Sequence, residues 1–218
     1  MNALKLFKSC LNAKYTTVEN QGDYAIKRAD NTLYLFFECT NGKEDWRNNF
    51  DFPAKPYKDM GKLWFCHRGF LRVWKSIEPY VKDAIMDETV ERVVVVGYSH
   101  GASIAMLCHE YVWFNRPDLR ERLVGYGFGS PRVYWGWFIS KQLKQRWENF
   151  YAVRNLNDAV TYLPPVPFGF RHISKVINIG EKGDFAVRKL KFKCIDAHRP
   201  ENYIHSLKKR KIAQKTTK

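Results

Sequence analysis

The chain has no long hydrophobic run. Its longest aliphatic stretch, Val93 to Val96, falls far short of the ~20 apolar residues that a membrane-spanning helix needs. Cysteine is sparse and scattered: Cys10, Cys39, Cys66, Cys108 and Cys194 are odd in number and fit neither a disulfide framework nor paired zinc-ligand spacing. Free thiols in a reducing compartment are the expectation. No H-E-x-x-H pattern or carboxylate-rich loop is present, so neither a metal nor a cofactor is expected. The first eight residues, Met1 to Lys8, lack a continuous apolar core and a small-residue cleavage site. That reading predicts no signal peptide and a cytoplasmic protein. Internal repeats, low-complexity tracts and long linkers are also missing. The groove-reading motifs of DNA-binding modules are absent, and aromatics are not interleaved with basic residues as on RNA-binding sheets. Nucleic acid is not an expected partner.

Acidic residues are few: 22 Asp and Glu stand against 37 Lys and Arg, a net charge of +15. Six of those cations, Lys208, Lys209, Arg210, Lys211, Lys215 and Lys218, crowd the last eleven residues without an acid among them. Residues 208–218 therefore read as a solvated, disordered tail, with contact to an anionic membrane as the functional alternative. The remaining body is basic as well, which favours approach to anionic surfaces. With 218 residues, 45% of them hydrophobic and 16% aromatic, the chain has enough apolar surface for one folded domain.

The densest information lies in Gly97-Tyr98-Ser99-His100-Gly101, directly after Arg92 and four valines. A buried strand, a sharp turn with serine at its apex and a small-residue helix start make the G-x-S-x-G nucleophile elbow. Thr32 to Cys39 reads as a strand and Gly69 to Ile85 as an amphipathic helix. The elbow helix should stop near Asn115-Arg116-Pro117. Leu123 to Phe128 and Phe150 to Arg154 read as strands, and Tyr134 to Trp147 as a helix. Leu163 to Pro167 reads as a rigid loop. Ser174 to Ile179 and Ala186 to Cys194 look like late strands, paired as a hairpin around Glu181 to Asp184. A last helix starts near Pro200. Such alternation predicts an α/β sheet with its site at the carboxyl ends of the strands.

A serine hydroxyl needs an imidazole as base and a carboxylate to orient it. Among the later acids, Asp118 sits at a helix end, Asp184 in a turn, and Asp196 only two residues from a histidine. Asp158 follows a strand directly, so it is the candidate acid. Of the later histidines, His172 fits a structural hydrogen bond and His205 lies inside the last helix. His198 occupies the loop before that helix and is the candidate base.

Together these residues resemble the class 3, fungal-type lipases. Phe37-Glu38-Cys39-Thr40 with Trp46 is similar to the family's F-R-G-[ST] segment and downstream Trp. His67-Arg68-Gly69-Phe70, Phe128-Gly129-Ser130-Pro131-Arg132-Val133, the Asn155 to Pro165 segment, Phe170-Arg171-His172 and His198 with Tyr203 five residues on follow in family order. The resemblance implies an α/β-hydrolase fold over residues 1–207, with a mostly parallel central sheet flanked by helices. It also implies a carboxylic-ester hydrolase for lipid esters such as acylglycerols, with Ser99, His198 and Asp158 as its triad. The backbone N–H groups of Thr40 and His100 would form the oxyanion hole, with the His100 side chain incidental. Two departures stand out: Glu38-Cys39 replaces the usual Arg-Gly, with Cys39 read as a packed strand-end thiol rather than a second nucleophile, and Ala102 is a mild change at the small residue after the elbow's second glycine. The Asn41 to Met60 segment corresponds to the family's lid position and predicts no well-formed lid. Alternatives are a phospholipase on anionic surfaces and a noncatalytic basic binding protein on the same scaffold.

Overall fold

The computed structural model describes residues 2–19, 22–39, 53–57, 64–181 and 196–216. Helix α1 (Ala3–Leu11) starts at Asn2, whose side-chain oxygen accepts from the Leu4 and Lys5 N–H groups at 3.1 and 3.3 Å. Strands β1 (Thr16–Val18), β2 (Gly22–Ala29) and β3 (Thr32–Cys39) follow as an antiparallel meander. Strands β4 (Ala54–Tyr57) and β5 (Trp64–His67) precede helix α2 (Arg68–Met86), then come β6 (Arg92–Tyr98) and helix α3 (His100–Asn115). Beyond them lie β7 (Leu123–Phe128), β8 (Tyr134–Trp135), α4 (Lys141–Gln145), β9 (Phe150–Asn155), β10 (Phe170–Arg171), β11 (Lys175–Ile179) and α5 (Pro200–Thr216).

Among the described residues seven strands form the main sheet in the order β1-β2-β3-β6-β7-β9-β11, parallel from β3 onward. Strand β6 lies in the middle and is buried on both faces, which is why it reads as unbroken valine rather than as an alternating pattern. Its side chains alternate between two cores, as the strand period of two requires. Val93 and Val95 face α2 and α3 with Leu33, Leu35, Phe37, Trp74 and Ile77. Val94 and Val96 face α1 and α5 with Phe7, Phe128, Tyr203 and Leu207. A smaller sheet, β10-β8-β5-β4, sits beside this frame.

Three sequence readings change. The Tyr134 to Trp147 helix is instead the short β8 followed by α4. Tyr134 and Trp135 pair across to β5 and β10, contacts too distant in sequence to appear in a local pattern. The disordered tail expected from Lys208 is also corrected, because α5 stays helical through Thr216. Once Tyr203 and Leu207 dock, each further Lys or Arg extends an existing helix at little cost. Helix α1, with Leu6, Phe7 and Cys10 buried, was not read from the sequence at all. The Ala186 to Cys194 strand, the turn after Glu181 and most of the Asn41 to Met60 segment lie outside the described residues.

Helix α3 approaches the sheet so closely that two glycines are required. A Cβ on Gly97 would stand 2.2 Å from the Gly101 carbonyl oxygen, and one on Gly101 would stand 2.2 Å from the Phe37 carbonyl oxygen. Both obstacles are backbone, so they cannot rotate away. Gly101→Ala should cost about 1–3 kcal/mol or more by overpacking, a fall of roughly 2–4 °C in Tm per kcal/mol for a chain this long. A thermal melt within 1–2 °C of the parent's would contradict this packing.

The β2–β3 register sets Asp23 directly opposite Glu38. Asp23 is buried and accepts a hydrogen bond from the Thr17 hydroxyl at 2.5 Å. Burial, and then the Asp23 charge, push the half-buried Glu38 up from 4.5 to about 7. Between those two values the folded chain holds a proton that the unfolded chain has released. Glu38 is therefore most favourable below about pH 4.5, and that stability is lost as pH rises through about 7. Glu38→Gln should flatten this part of the stability–pH curve. At pH 8 it should melt higher than the parent by the few degrees that ~1 kcal/mol gives for a partly screened group. Parallel stability–pH curves for parent and variant would contradict the assignment.

Candidate active site

The parallel strands deliver the candidate residues to one end of the sheet. Ser99 follows β6 at the apex of the turn into α3, with φ 56° and ψ −126°. A non-glycine residue with positive φ is strained by ~1–3 kcal/mol and persists only where its surroundings enforce it. Here the Ser99 N–H donates to the Phe128 carbonyl at 2.9 Å, the Ser99 carbonyl accepts from the Ala102 N–H at 3.0 Å, and the glycine contacts close the turn. Gly129, one residue past β7 with φ 64°, leaves room at the same point: a Cβ there would lie 2.8 Å from His198 Cε1.

Asp158 follows β9 and caps a short 3₁₀ turn, Ala159–Tyr162. Its Oδ1 accepts from the Val160 N–H at 2.9 Å. Its Oδ2 lies 2.7 Å from His198 Nδ1 and accepts from the Tyr203 hydroxyl at 2.5 Å. The opposite ring nitrogen, His198 Nε2, lies 2.7 Å from Ser99 Oγ. Serine, imidazole and carboxylate thus form one continuous hydrogen-bonded line. Asp158 is fully buried and the His198 side chain is 15% exposed, so solvent reaches the serine end rather than the carboxylate end.

Two tyrosines hold this line. Tyr203, on α5, is buried in the core against Phe7 and accepts from the Asn155 N–H at 3.2 Å while donating to Asp158. Burial, followed by the Asp158 charge, pushes its phenol far above the usual range, so it stays a neutral donor. Tyr98, inside the elbow, donates to the His198 carbonyl at 2.5 Å and stacks on the imidazole with centroids 5.2 Å apart. Asn155 completes the frame, donating from Nδ2 to the Ala197 carbonyl at 3.0 Å. Tyr203 had a signal in its spacing from His198, although no role was read from it. Asn155 opens the family-like segment that carries Asp158, without a role of its own, and Tyr98 had no signal.

The remaining candidates fall elsewhere. His172 Nε2 lies 2.8 Å from the Thr161 carbonyl, and desolvation pushes it down to about 4. It is a neutral donor supporting the loop behind Asp158, the structural role expected of it. The His205 ring is exposed on α5. The His100 ring turns inward against Phe70, with centroids 5.0 Å apart, and burial pushes it down to about 3. The His100 backbone begins α3 directly after Ser99. Thr40 lies outside the described residues. Arg132 binds the loop after Asp158: its guanidinium donates to the Tyr162 and Pro164 carbonyls, and its N–H donates to the Leu163 carbonyl at 2.6 Å. Among the described residues no three His, Cys, Asp or Glu side chains gather as a metal-binding group.

Comparison with known proteins places this arrangement. The secreted mono- and diacylglycerol lipase 1 of Fusarium solani is 31% identical over 137 residues, covering 60% of this chain and 38% of that protein. The chain thus spans less than half the length of this curated relative. The Rhizomucor miehei triacylglyceride lipase superposes with a TM-score of 0.70 at 20% identity, covering 85% of this chain and 77% of that one. For the Aspergillus oryzae mono- and diacylglycerol lipase the TM-score is 0.60 at 21% identity, covering 78% and 64%. These superpositions show the α/β-hydrolase fold. The expectation of a cytoplasmic protein is corrected, since the Fusarium relative is named as secreted. That expectation rested on a missing leader pattern and scattered cysteines. Cys10, Cys66 and Cys108 are buried, unpaired thiols, a state compatible with any compartment. No helix among the described residues is long and apolar enough to cross a membrane. The lipase (class 3) profile matches residues 34–168, more than half of the sequence, and the chain belongs to the class 3 lipase family.

Proposed function

We propose that this chain is a serine carboxylic-ester hydrolase whose substrates are lipid esters of the acylglycerol type. The observation that carries this reading is the unbroken line from Ser99 Oγ through His198 to Asp158, with 2.7 Å at each step. His198 accepts the Ser99 proton as the oxygen attacks the ester carbonyl carbon. Asp158 keeps the ring in the tautomer that leaves Nε2 free and stabilises the imidazolium. The protonated ring then gives its proton to the departing alcohol, and the acyl group stays on Ser99. Water, deprotonated by His198, releases the acid and restores the serine.

The tetrahedral oxyanion is met by the His100 N–H at the positive end of α3. Thr40 is the proposed second donor, and one such donor is typically worth ~2.7–4 kcal/mol in the transition state. The names of the relatives support acylglycerols as the substrate class. The excess of 37 basic over 22 acidic residues favours phospholipid esters on an anionic surface as a second reading.

Parent and Ser99→Ala protein should be assayed on p-nitrophenyl esters, emulsified acylglycerols and phospholipid. The proposal expects the parent to turn over esters and Ser99→Ala to lose ~10⁴-fold or more in kcat. Greater turnover of phospholipid than of acylglycerol would select the second reading. A well-folded parent inert on every ester would leave only the noncatalytic alternative.

Tyr203→Phe removes the hydroxyl that shares Asp158 Oδ2 with the imidazole. A hydrogen bond to a charged group is worth ~1.5–3 kcal/mol, so kcat should fall about 10- to 100-fold while KM on a soluble ester stays unchanged. Unchanged kcat would show that Asp158 needs no help from α5.

A further inference from the structure

Helix α1 packs on β3 and β6, and a groove opens between it and the β2–β3 pair. Its volume is about 750 Å³, and a neighbouring cavity of about 400 Å³ continues it, with Lys5, Lys27 and Phe36 common to both. Sites for small organic ligands span roughly 300–1,000 Å³. Ser99, Asp158 and His198 line neither cavity, so the groove is separate from the triad.

The β2–β3 register builds its floor. Ala25 stands opposite Phe36, and Lys27 opposite Tyr34, so these four side chains share one face of the sheet. That face meets α1: Ala25 and Phe36 lie in the same core as Leu6 and Phe7. The Tyr34 and Phe36 rings stack with centroids 6.3 Å apart. The nine residues of α1 run about 13 Å, room for much of a long alkyl chain laid along the helix.

The rim carries one sign of charge. Lys5, Lys8, Lys14 and Lys27 line the groove, all four are exposed, and none forms an ion pair with a described residue. No described Asp or Glu lines it, and residues 1–18 contain no acid at all. Asp23 and Glu38 stand one step further along the same face, outside the groove. Lysine stems are apolar and can lie along an alkyl chain while their ammonium groups reach an anion. An apolar floor under a rim of cations complements a molecule with one anionic head and a long apolar tail. An acidic peptide would satisfy the rim but set polar backbone on the floor. A second copy of this basic chain would bring like charge.

We propose that the groove between α1 and β2–β3 is a second, noncatalytic site that binds a long-chain fatty acid. Its alkyl chain lies on Ala25, Tyr34 and Phe36, and its carboxylate meets Lys5 and Lys27. Hydrolysis of a lipid ester would supply such an acid, a link that rests on the lipid-ester reading; the binding itself does not.

Calorimetric titration with oleate below its micelle concentration measures the affinity, on Ser99→Ala protein so that no ester chemistry contributes. A diazirine-bearing long-chain acid locates the site by peptide mass analysis. Lys5→Glu/Lys27→Glu should lower oleate affinity ~10-fold or more, and methyl oleate, which lacks the charge, should bind the unsubstituted groove more weakly by a similar factor. Decanoate should also lose ~10-fold or more through its missing methylenes. The photolabel should fall on residues 2–14 and 22–36 and disappear from them in the double variant. In the Ser99 background, the double variant should turn over a soluble p-nitrophenyl ester within ~2-fold of the parent, showing an intact fold. A parent inert on every ester but binding oleate here would defeat the esterase reading and leave this site standing. Oleate affinity unchanged in the double variant, methyl oleate as tight as oleate, or labelling confined to peptides around Ser99 and His198 would overturn the proposal. So would uptake only from anionic vesicles, or displacement of the acid by a tighter-binding acidic peptide.

Discussion

The contact on which the rest depends is the approach of α3 to the end of the sheet at Gly97 and Gly101. A parallel strand buried on both faces cannot turn into a helix packed behind it without bringing backbone against backbone. Only two residues lacking Cβ atoms permit the 2.2 Å approaches that occupy their missing side-chain positions. That turn leaves Ser99 at positive φ and directs its hydroxyl away from the core. It also starts α3, with its positive dipole end, directly after the same residue. The position of Ser99 and the start of α3 are therefore two results of one packing constraint.

The second half of the site is assembled from more distant parts of the chain. His198 and Asp158 lie forty residues apart, and α5 joins them by sending Tyr203 back through the core to Asp158 and the Asn155 backbone. Tyr98 fixes the other side of the imidazole from within the elbow. The site is thus coupled to the α1–α5 face of the sheet, where Phe7 packs on Tyr98, Phe128 and Tyr203. Helix α1, which had no visible signal, supports residues adjoining the chemistry. The basic Lys and Arg run after Leu207 continues that same helix.

What the sequence disclosed follows from how local each feature is. The valine run, the paired glycines and the strand-end position of Asp158 are properties of short segments, so β6, the elbow and the candidate acid were legible. His198 could be chosen by position because its competitors had ordinary structural explanations, and the structure brings its ring between Ser99 and Asp158. Strand β8 was not legible: Tyr134 and Trp135 fit helical spacing, and only pairing with β5 and β10 makes them a strand. No role for Tyr98 is legible, because its partner is the backbone of a loop about a hundred residues later. Compartment was beyond the local pattern altogether.

The central claim is that Ser99 is a nucleophile activated by His198. A p-nitrophenyl alkylphosphonate, which traps a serine hydrolase at its nucleophile, tests this without knowledge of the natural substrate. Intact-mass and peptide analysis should find one phosphonyl group per chain, on Ser99. The rate of labelling should collapse in a folded His198→Ala variant. Labelling elsewhere, labelling unaffected by loss of His198, or no labelling of a folded parent would contradict the account.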